Sequence, residues 1–208
     1  GELFIGCAGG AGTTAEFPCP MTAAPEGYFF FRVAVKGLTG GHSGDDINKN
    51  RANANKLLDR FLIILMKQYD LRLSHMDGGN LHNAIPREAH AVCAVPMADK
   101  ENVRVALNIF LAEVENEFAV TEPNLTMELE SETPCAEVME KEAMARFLHS
   151  LYAVHHGVYA MSQDMEGLVE TSTNLASIRK QEGKIVVTTS QRSSVASGRE
   201  NMSSVVRA

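Results

Sequence analysis

The chain has 208 residues, of which 45% are hydrophobic, and a formal net charge of -7. This length and composition suffice for one large domain or two small ones with an ordinary buried core. Nucleic acids and anionic membrane surfaces are bound mainly through Lys and Arg, so an acidic chain without basic runs is expected to bind neither. The longest apolar run, residues 61–66, is far shorter than the roughly 20 residues of a membrane span, which predicts a soluble protein.

Two features of the sequence concern its cellular setting and its origin. The cysteines form no CxxC pair, which disfavours a zinc ribbon or a redox dithiol and favours free thiols in a reducing cytoplasm; they are Cys7, Cys19, Cys93 and Cys135. Residues 1–7 look like a strand that is entered without a preceding cap or turn. We therefore expect the chain to have been cut from a longer polypeptide.

The first predicted elements are a strand, a helix and a pair of strands. Residues 28–36 combine aromatic and β-branched side chains with partial alternation, which predicts a half-buried strand. Apolar positions repeat at helical spacing over residues 47–69, which predicts an amphipathic helix of about 20 residues. Residues 71–75 and 88–95 alternate in the manner of two neighbouring strands.

The next elements complete a recurring supersecondary pattern. Asp99 is a candidate N-cap for a helix whose apolar stripe runs from Val103 to Phe118. Residues 125–130 alternate apolar with polar side chains, as a strand with one solvated face does. The order is then β-α-β-β-α-β, which predicts an α+β fold with a ferredoxin-like antiparallel sheet and both helices on one face.

The second half partly repeats this pattern. Residues 136–156 have helical spacing, and residues 171–178 and 184–189 flank a glycine-containing turn that predicts a β-hairpin. Ser197 is a candidate N-cap for a last helix that the end of the chain truncates. We expect these elements to extend the ferredoxin-like unit by a second, partial α/β repeat.

Five polar residues at predicted strand ends or turns are candidates for ligand binding. His42 stands in a glycine-rich turn, KGLTGGHSG, where backbone can approach a ligand, and Asn83 stands at the mouth of a strand in the NAIP segment. Arg192, at a strand end, can hold a carboxylate through two parallel hydrogen bonds, and Thr171 and Asn174 offer a hydroxyl and an amide beside it. From the residues alone, a plain turn explains the His42 segment better than a binding site does, and a solvated surface charge is the commoner explanation of Arg192. An Asx-type turn is the alternative for Asn83.

The sequence has no motif for metal-dependent, nucleophilic or nucleotide chemistry. None of the seven histidines belongs to an HExxH or HxD motif, or to a cluster with cysteine. A GxSxG elbow, a P-loop and a GxGxxG turn that opens a helix are also missing. We therefore predict no metal ligands in this chain.

Taken together and in this order, several short segments resemble the bacterial aminoacyl-histidine dipeptidases, a family within the di-zinc peptidase superfamily of carnosinases and aminoacylases. The resemblance covers essentially the whole chain. The segments that carry it are GELFIGCAGG, KGLTGGHSG, NANKLL, NAIPREA, VETSTN and QRSS.

In that family a lid domain interrupts a catalytic domain that binds two zinc ions. The resemblance implies that residues 1–25 link from an absent catalytic domain and that residues 26–208 form the lid. Within the lid, residues 26–131 would be the ferredoxin-like half and residues 132–208 the second half, truncated at its C-terminal helix. The expected partners are a dipeptide substrate, the catalytic domain of the same polypeptide and a second copy of the chain.

The resemblance also assigns roles to the candidate residues. His42 matches the lid histidine that stabilises the oxyanion, Asn83 matches a contact to the substrate backbone or oxyanion, and Arg192 matches the residue that holds the substrate carboxylate. Thr171 and Asn174 are further substrate contacts by the same resemblance. The implied parent is a cytosolic enzyme that hydrolyses Xaa-His dipeptides, whereas this chain alone is expected to be inactive. The alternative is a stand-alone ferredoxin-like module for binding or dimerisation.

Overall fold

The computed structural model describes residues 8–208, so the strand expected at residues 1–7 and Cys7 lie outside the described part. A single-turn 3-10 helix, Met97–Asp99, precedes the second α-helix. The other elements, in chain order, are β1 (Gly9–Pro18), β2 (Met21–Ala23), β3 (Tyr28–Lys36), β4 (Gly41–His42), α1 (Ala54–Gln68), β5 (Arg72–Gly78), β6 (Ala84–Ile85), β7 (Ala89–Pro96), α2 (Lys100–Glu117), β8 (Thr126–Ser131), β9 (Glu137–Met139), α3 (Lys141–Ala153), β10 (Gly157–Met161), β11 (Val169–Gln181), β12 (Lys184–Ser193) and α4 (Ala196–Arg207).

The main sheet confirms the predicted fold class. Its strand order is β1-β12-β11-β5-β7-β3-β8, with β10 paired to β11, and every pairing is antiparallel. The four strands β3, β5, β7 and β8 alternate with α1 and α2 in the chain and lie in the order β8-β3-β7-β5. This is the strand order of a ferredoxin-like sheet.

The sheet buries one face under three helices. Alternate residues of β3, Phe29, Phe31, Val33 and Val35, belong to the main core, together with the apolar stripes of α1, α2 and α3. Phe30, on the other face of β3, packs in a small cluster with Ala94 and Val138. The helices therefore share one face of the sheet, as the two-residue period of the strand predicts.

Helix α1 is shorter than predicted because a capping residue fixes its start. The Asn53 side chain accepts hydrogen bonds from the amides of Asn55 and Lys56, at 3.0 Å and 3.3 Å. Asn50, three residues earlier, has a positive φ of 53°, which a helix does not allow. The predicted helical stretch from residue 47 to the cap is therefore irregular chain, and it leads from the turn that carries His42.

The hairpin predicted in the second half is confirmed and is longer than expected. Strands β11 and β12 pair from Gln181↔Lys184 to Thr171↔Ser193, and Gly183 in the connecting turn has a φ of 70°. The hairpin joins the ferredoxin-like sheet where Ile178 pairs with Gly78 of β5. It thereby extends the four-stranded sheet at the edge formed by β5.

The segment expected to be a linker contains a strand of this extension. All ten residues of β1 pair with β12, from Gly9↔Ser193 to Pro18↔Lys184, which makes β1 one edge of the sheet. Strand β2 pairs with β9 in a separate two-stranded sheet. Residues 9–23 are therefore integrated in the fold, and the division of the chain at residue 25 stays a prediction.

Two of the predicted helix starts are wrong, and at the third the predicted N-cap residue is in place without a side-chain capping bond. The stretch at residues 136–156 begins with β9 rather than with a helix turn, since its first residues pair with β2. Asp99 does precede α2, but its side chain makes no capping hydrogen bond. Helix α4 begins before Ser197, and the residue at its N-cap is Val195. In each case a tertiary contact or a local turn decides the boundary, which the apolar spacing does not encode.

Candidate functional site

His42 lies on a short arm at one end of the ferredoxin-like sheet. Strand β4 pairs with β6, so that His42 faces Ala84, and the Ser43 amide donates a hydrogen bond of 2.9 Å to the carbonyl of Asn83. The glycine-rich turn and the NAIP segment, which are far apart in the chain, are therefore the two strands of one arm. The His42 side chain is 38% exposed, which leaves the ring accessible.

Asp45 makes two contacts with the Nδ1 nitrogen of the His42 ring. The Asp45 amide donates to Nδ1 of His42 at 3.2 Å, and a carboxylate oxygen of Asp45 lies 3.1 Å from the same nitrogen. The amide contact needs a lone pair on Nδ1, and the neutral ring then carries its proton on Nε2. The carboxylate contact instead needs a proton on Nδ1. The tautomer that satisfies the Asp45 amide is therefore the neutral form in which Nε2 is a hydrogen-bond donor.

Asp46 holds the backbone of the same turn. Its carboxylate accepts a hydrogen bond of 2.8 Å from the His42 amide and lies 2.6 Å from Nζ of Lys49 and 3.3 Å from a guanidinium nitrogen of Arg51. The hydrogen bond from Lys49, then that from the His42 amide, lower the pKa of Asp46. Sequence reasoning missed both aspartates, although the GHSGDD string places two carboxylates directly after the turn.

Arg192 reaches the same place from β12. A Cβ atom built on Gly44 would lie 3.2 Å from Cε1 of His42 and 3.5 Å from Cδ of Arg192, so the two side chains flank Gly44. Nε of Arg192 is buried, and it has no hydrogen-bond partner among residues 8–208. No ion pair joins the Arg192 guanidinium to a described carboxylate either, so its donors are available to a ligand.

Asn83 and Asn174 take different parts in this arrangement. Asn83 is half-buried on the arm, and no hydrogen bond commits its side-chain amide to another described residue. Asn174 of β11 is fully buried, and its Nδ2 donates a hydrogen bond of 2.8 Å to the carbonyl of Ala84. Asn174 thus ties the arm to the sheet, while its buried Oδ1 has no partner among the described residues.

Thr171 lies on the opposite face of the hairpin. Ser172 pairs with Arg192 and Thr171 pairs with Ser193, so consecutive pairs project to opposite faces. The Thr171 hydroxyl lies 2.9 Å from the Ser193 hydroxyl, and a Cβ atom built on Gly198 of α4 would lie 3.1 Å from both. The structure therefore brings His42, Asn83, Asn174 and Arg192 together and leaves Thr171 buried against α4.

A cavity lies beside the arm, but residues 8–208 contain no group of metal ligands. Among residues 8–208, no three His, Cys, Asp or Glu side chains are grouped so that they could hold a metal ion. A cavity of about 830 Å³ adjoins the arm at Gly41 and Ala84, and Arg32 and Arg179 are among its lining residues. His42, Asn83 and Arg192 do not line this cavity, so it is separate from the cluster around Gly44.

Comparison with known proteins relates this geometry to a family of domains. Residues 33–122, which include β4, β6 and the arm that carries His42, match the family model described as the peptidase dimerisation domain. This part of the chain is similar to that domain. Over 207 residues, it is 38% identical to the cytosol non-specific dipeptidase of Escherichia coli (strain K12). That alignment covers 99% of this chain and 42% of the relative.

A solved structure extends the similarity of the peptidase dimerisation domain to the whole described fold. The crystal structure of aminoacylhistidine dipeptidase from Vibrio alginolyticus matches with a TM-score of 0.95 and 36% sequence identity. The match covers 98% of this chain and 42% of the crystallised one. The chain thus spans less than half the length of these two dipeptidases. No helix in the described part is long and apolar enough to cross a membrane.

Proposed function

We propose that this chain is the lid of a dipeptidase and that His42, Asn83 and Arg192 contact the dipeptide. The observation that carries the proposal is the convergence of His42 and Arg192 on Gly44, from two segments about 150 residues apart in a chain of 208. Both side chains offer donors without a described partner. A dipeptide has a scissile carbonyl and a terminal carboxylate, which are the acceptors that such donors bind.

His42 would stabilise negative charge on the carbonyl oxygen through Nε2. In the tautomer in which Nδ1 accepts from the Asp45 amide, Nε2 carries the proton, so the donor is in place before the reaction begins. Arg192 would hold the terminal carboxylate, because a guanidinium can make two parallel hydrogen bonds to it. The Asn83 amide would bind the peptide unit between these two points.

The other two candidate residues receive revised roles in this proposal. Asn174 would act through the arm, because its amide is committed to the Ala84 carbonyl. Thr171 would support the end of β11 against α4 rather than touch the substrate, because it is 1% exposed on the far face.

The remaining features of the proposed enzyme rest on its relatives. Zinc is implied by the resemblance, and a cytosolic location is implied by the resemblance and by the name of the Escherichia coli dipeptidase. Xaa-His specificity is implied by the resemblance and by the name of the Vibrio alginolyticus enzyme, whereas the Escherichia coli relative is named non-specific. The described residues do not offer a zinc site, so the two zinc ions would be held by a catalytic domain outside this chain. We propose that this chain alone hydrolyses no dipeptide.

A second role in dimerisation is favoured by the surface of α2 and the edge of the sheet. Val105 and Ile109 lie one helical turn apart on α2 and are 56% and 57% exposed. Strand β8 is the sheet edge next to that helix, and its outer side pairs with no described strand. We propose a homodimer through this surface. Sedimentation of the chain should show a dimer that Ile109→Glu converts to a monomer, whereas Ile64→Glu on the half-buried face of α1 serves as the comparison.

The proposed lid function is tested in a dipeptidase that carries this chain. We expect His42→Ala to lower kcat by about 100-fold or more, as the loss of an oxyanion donor does, with zinc content unchanged. Arg192→Met should raise KM for dipeptides and leave kcat/KM for a C-terminally amidated substrate little changed. His149→Ala, which alters an exposed histidine of α3, is the matched control. Equal loss of zinc and activity in His42→Ala would refute the proposed role.

A further inference from the structure

The chain that presents His42 has little regular structure of its own. Between the end of β3 and the start of α1, residues 37–53 contain only the two-residue strand β4. A loop of this length samples many conformations unless its ends are fixed, and a catalytic donor must be held to within a fraction of an ångström. The contacts that fix the ends of this loop, together with the pairing of β4 with β6 in its middle, therefore decide where His42 lies.

Glu122 fixes both ends at once. One carboxylate oxygen accepts a hydrogen bond of 2.6 Å from the Thr39 amide, and the other accepts one of 2.9 Å from the Ala52 amide. The residue is only 3% exposed, so both bonds are shielded from water. The two amides are thirteen positions apart in the sequence, and a single side chain joins them.

The position of Glu122 is itself fixed by the end of α2. Its amide donates a hydrogen bond of 2.9 Å to the Phe118 carbonyl, and its carbonyl accepts one of 3.1 Å from the Leu125 amide. The hydroxyl of Thr39 adds a bond of 3.0 Å to the Thr121 carbonyl. The loop is thus tied to the turn between α2 and β8, a rigid part of the ferredoxin-like unit.

A second set of contacts lies within the loop whose two ends Glu122 joins. Arg51 donates a hydrogen bond of 2.6 Å to the Gly40 carbonyl, and Asp46 binds both Arg51 and the His42 amide. These bonds join residues 40–51 to one another, and β4 pairs the middle of the loop with β6 of the arm. Glu122 adds a link to the end of α2 through Thr39, which is three residues before His42 in the chain.

We infer that Glu122 is a positioning residue for His42, an assignment that rests on the proposed lid function. The requirement is for a carboxylate, because each of its two oxygens accepts from one amide. A glutamine has one acceptor oxygen, and its NH2 group would face an amide donor and leave it unpaired. Glu122→Gln therefore preserves the size of the side chain and removes its hydrogen bond to one of the two amides.

The structural part of the inference is tested on this chain by amide hydrogen exchange. In Glu122→Gln we expect exchange at Thr39 or Ala52 to accelerate about tenfold or more, the effect of losing one hydrogen bond. Exchange at Phe61 in the core of α1 should not change. Glu128→Gln, which neutralises an exposed carboxylate of β8 paired with Lys36, is the matched control. If Glu122→Gln does not fold, Glu122→Asp, which keeps the charge but is one methylene shorter, replaces it.

The functional part is tested in the dipeptidase that carries this chain. Glu122→Gln should lower kcat about tenfold, with zinc content and KM within twofold of wild type. In a His42→Ala background the same change should lower kcat by less than twofold, because His42 is then no longer there to be positioned. Unchanged exchange at Thr39 and Ala52, or an equal loss of kcat in both backgrounds, would overturn the inference. If His42→Ala alone retains full kcat, the proposed function itself has failed, whatever the exchange rates are.

Discussion

Asp59 of α1 is a carboxyl group inside the hydrophobic core. It is fully buried, and neither carboxylate oxygen has a hydrogen-bond partner among residues 8–208. Burial raises the pKa of Asp59 from its ordinary value of 3.8 to about 8, although the charge of nearby Lys56 acts in the opposite direction. At neutral pH the folded protein therefore holds Asp59 protonated, whereas the unfolded chain ionises it.

This difference makes the stability of the fold depend on pH. The folded state binds one more proton than the unfolded state between pH 4 and 8, so the free energy of unfolding falls as the pH rises through that window. The slope is about 1.4 kcal/mol per pH unit for one proton, or about 3 kcal/mol between pH 5 and pH 7. Above the folded pKa both states are ionised and the loss is complete.

Asp59→Asn removes the titration while nearly preserving the shape. We expect the variant to gain stability relative to wild type as the pH rises, by about 3 kcal/mol from pH 5 to pH 7. The assay is urea unfolding followed by far-ultraviolet circular dichroism at four pH values. Glu117→Gln controls for loss of charge. Glu117 is on α2 and forms an exposed ion pair with Arg60, which lies on the same helix as Asp59. A stability difference between Asp59→Asn and wild type that stays constant with pH would refute the reasoning.

Three further changes test other parts of the fold. Lys56 donates hydrogen bonds of 2.7 Å to 2.9 Å to three carbonyls at the end of α3, so Lys56→Met should lower the free energy of unfolding by about 1–3 kcal/mol in urea titrations. Burial, reinforced by the charge of Lys56, lowers the pKa of His156 from 6.5 to about 3. The wild type therefore loses stability as the pH falls from 6.5 towards 3, because the unfolded chain binds a proton that the folded state does not. His156→Gln should reduce this loss, measured as the urea midpoint of unfolding at pH 4.5. Gly37 has a φ of 76°, and a Cβ atom built on it would lie 1.9 Å from the Asn124 carbonyl oxygen. Gly37→Ala should therefore lower the free energy of unfolding by about 2 kcal/mol or more and lower the melting temperature. An unchanged melting curve would contradict the geometry.

The sequence by itself determined the ferredoxin-like unit. Strand β3 begins and ends where its aromatic and β-branched pattern does, and the stripe that starts at Val103 follows α2 to its C-cap, Phe118. Such periodicities are local, because each side chain faces the core or the solvent according to its own position in a strand or helix. The fold class followed from the order of these local patterns alone.

The sequence did not predict the boundaries of elements whose partners lie far away along the chain. Strand β1 lies in a segment rich in glycine and proline that reads as a linker, and it is a strand because β12 pairs with all ten of its residues. The start of α1 depends on the Asn53 side chain, whose own Nδ2 is bound to the Leu175 carbonyl at 2.9 Å. Both elements depend on contacts more than 100 residues away along the chain.

The candidate site divides in the same way. The glycine turn indicated His42, and positions at strand ends indicated Asn83 and Arg192, but only the tertiary structure placed His42 and Arg192 on either side of Gly44. Two-residue alternation across β11 and β12 then sent Thr171 to the opposite face. Glu122 had no local signal, because its role lies in two amides brought to it by folding. Local patterns therefore indicated the candidate side chains in turns and at strand ends, and long-range pairing decided which of them lie together.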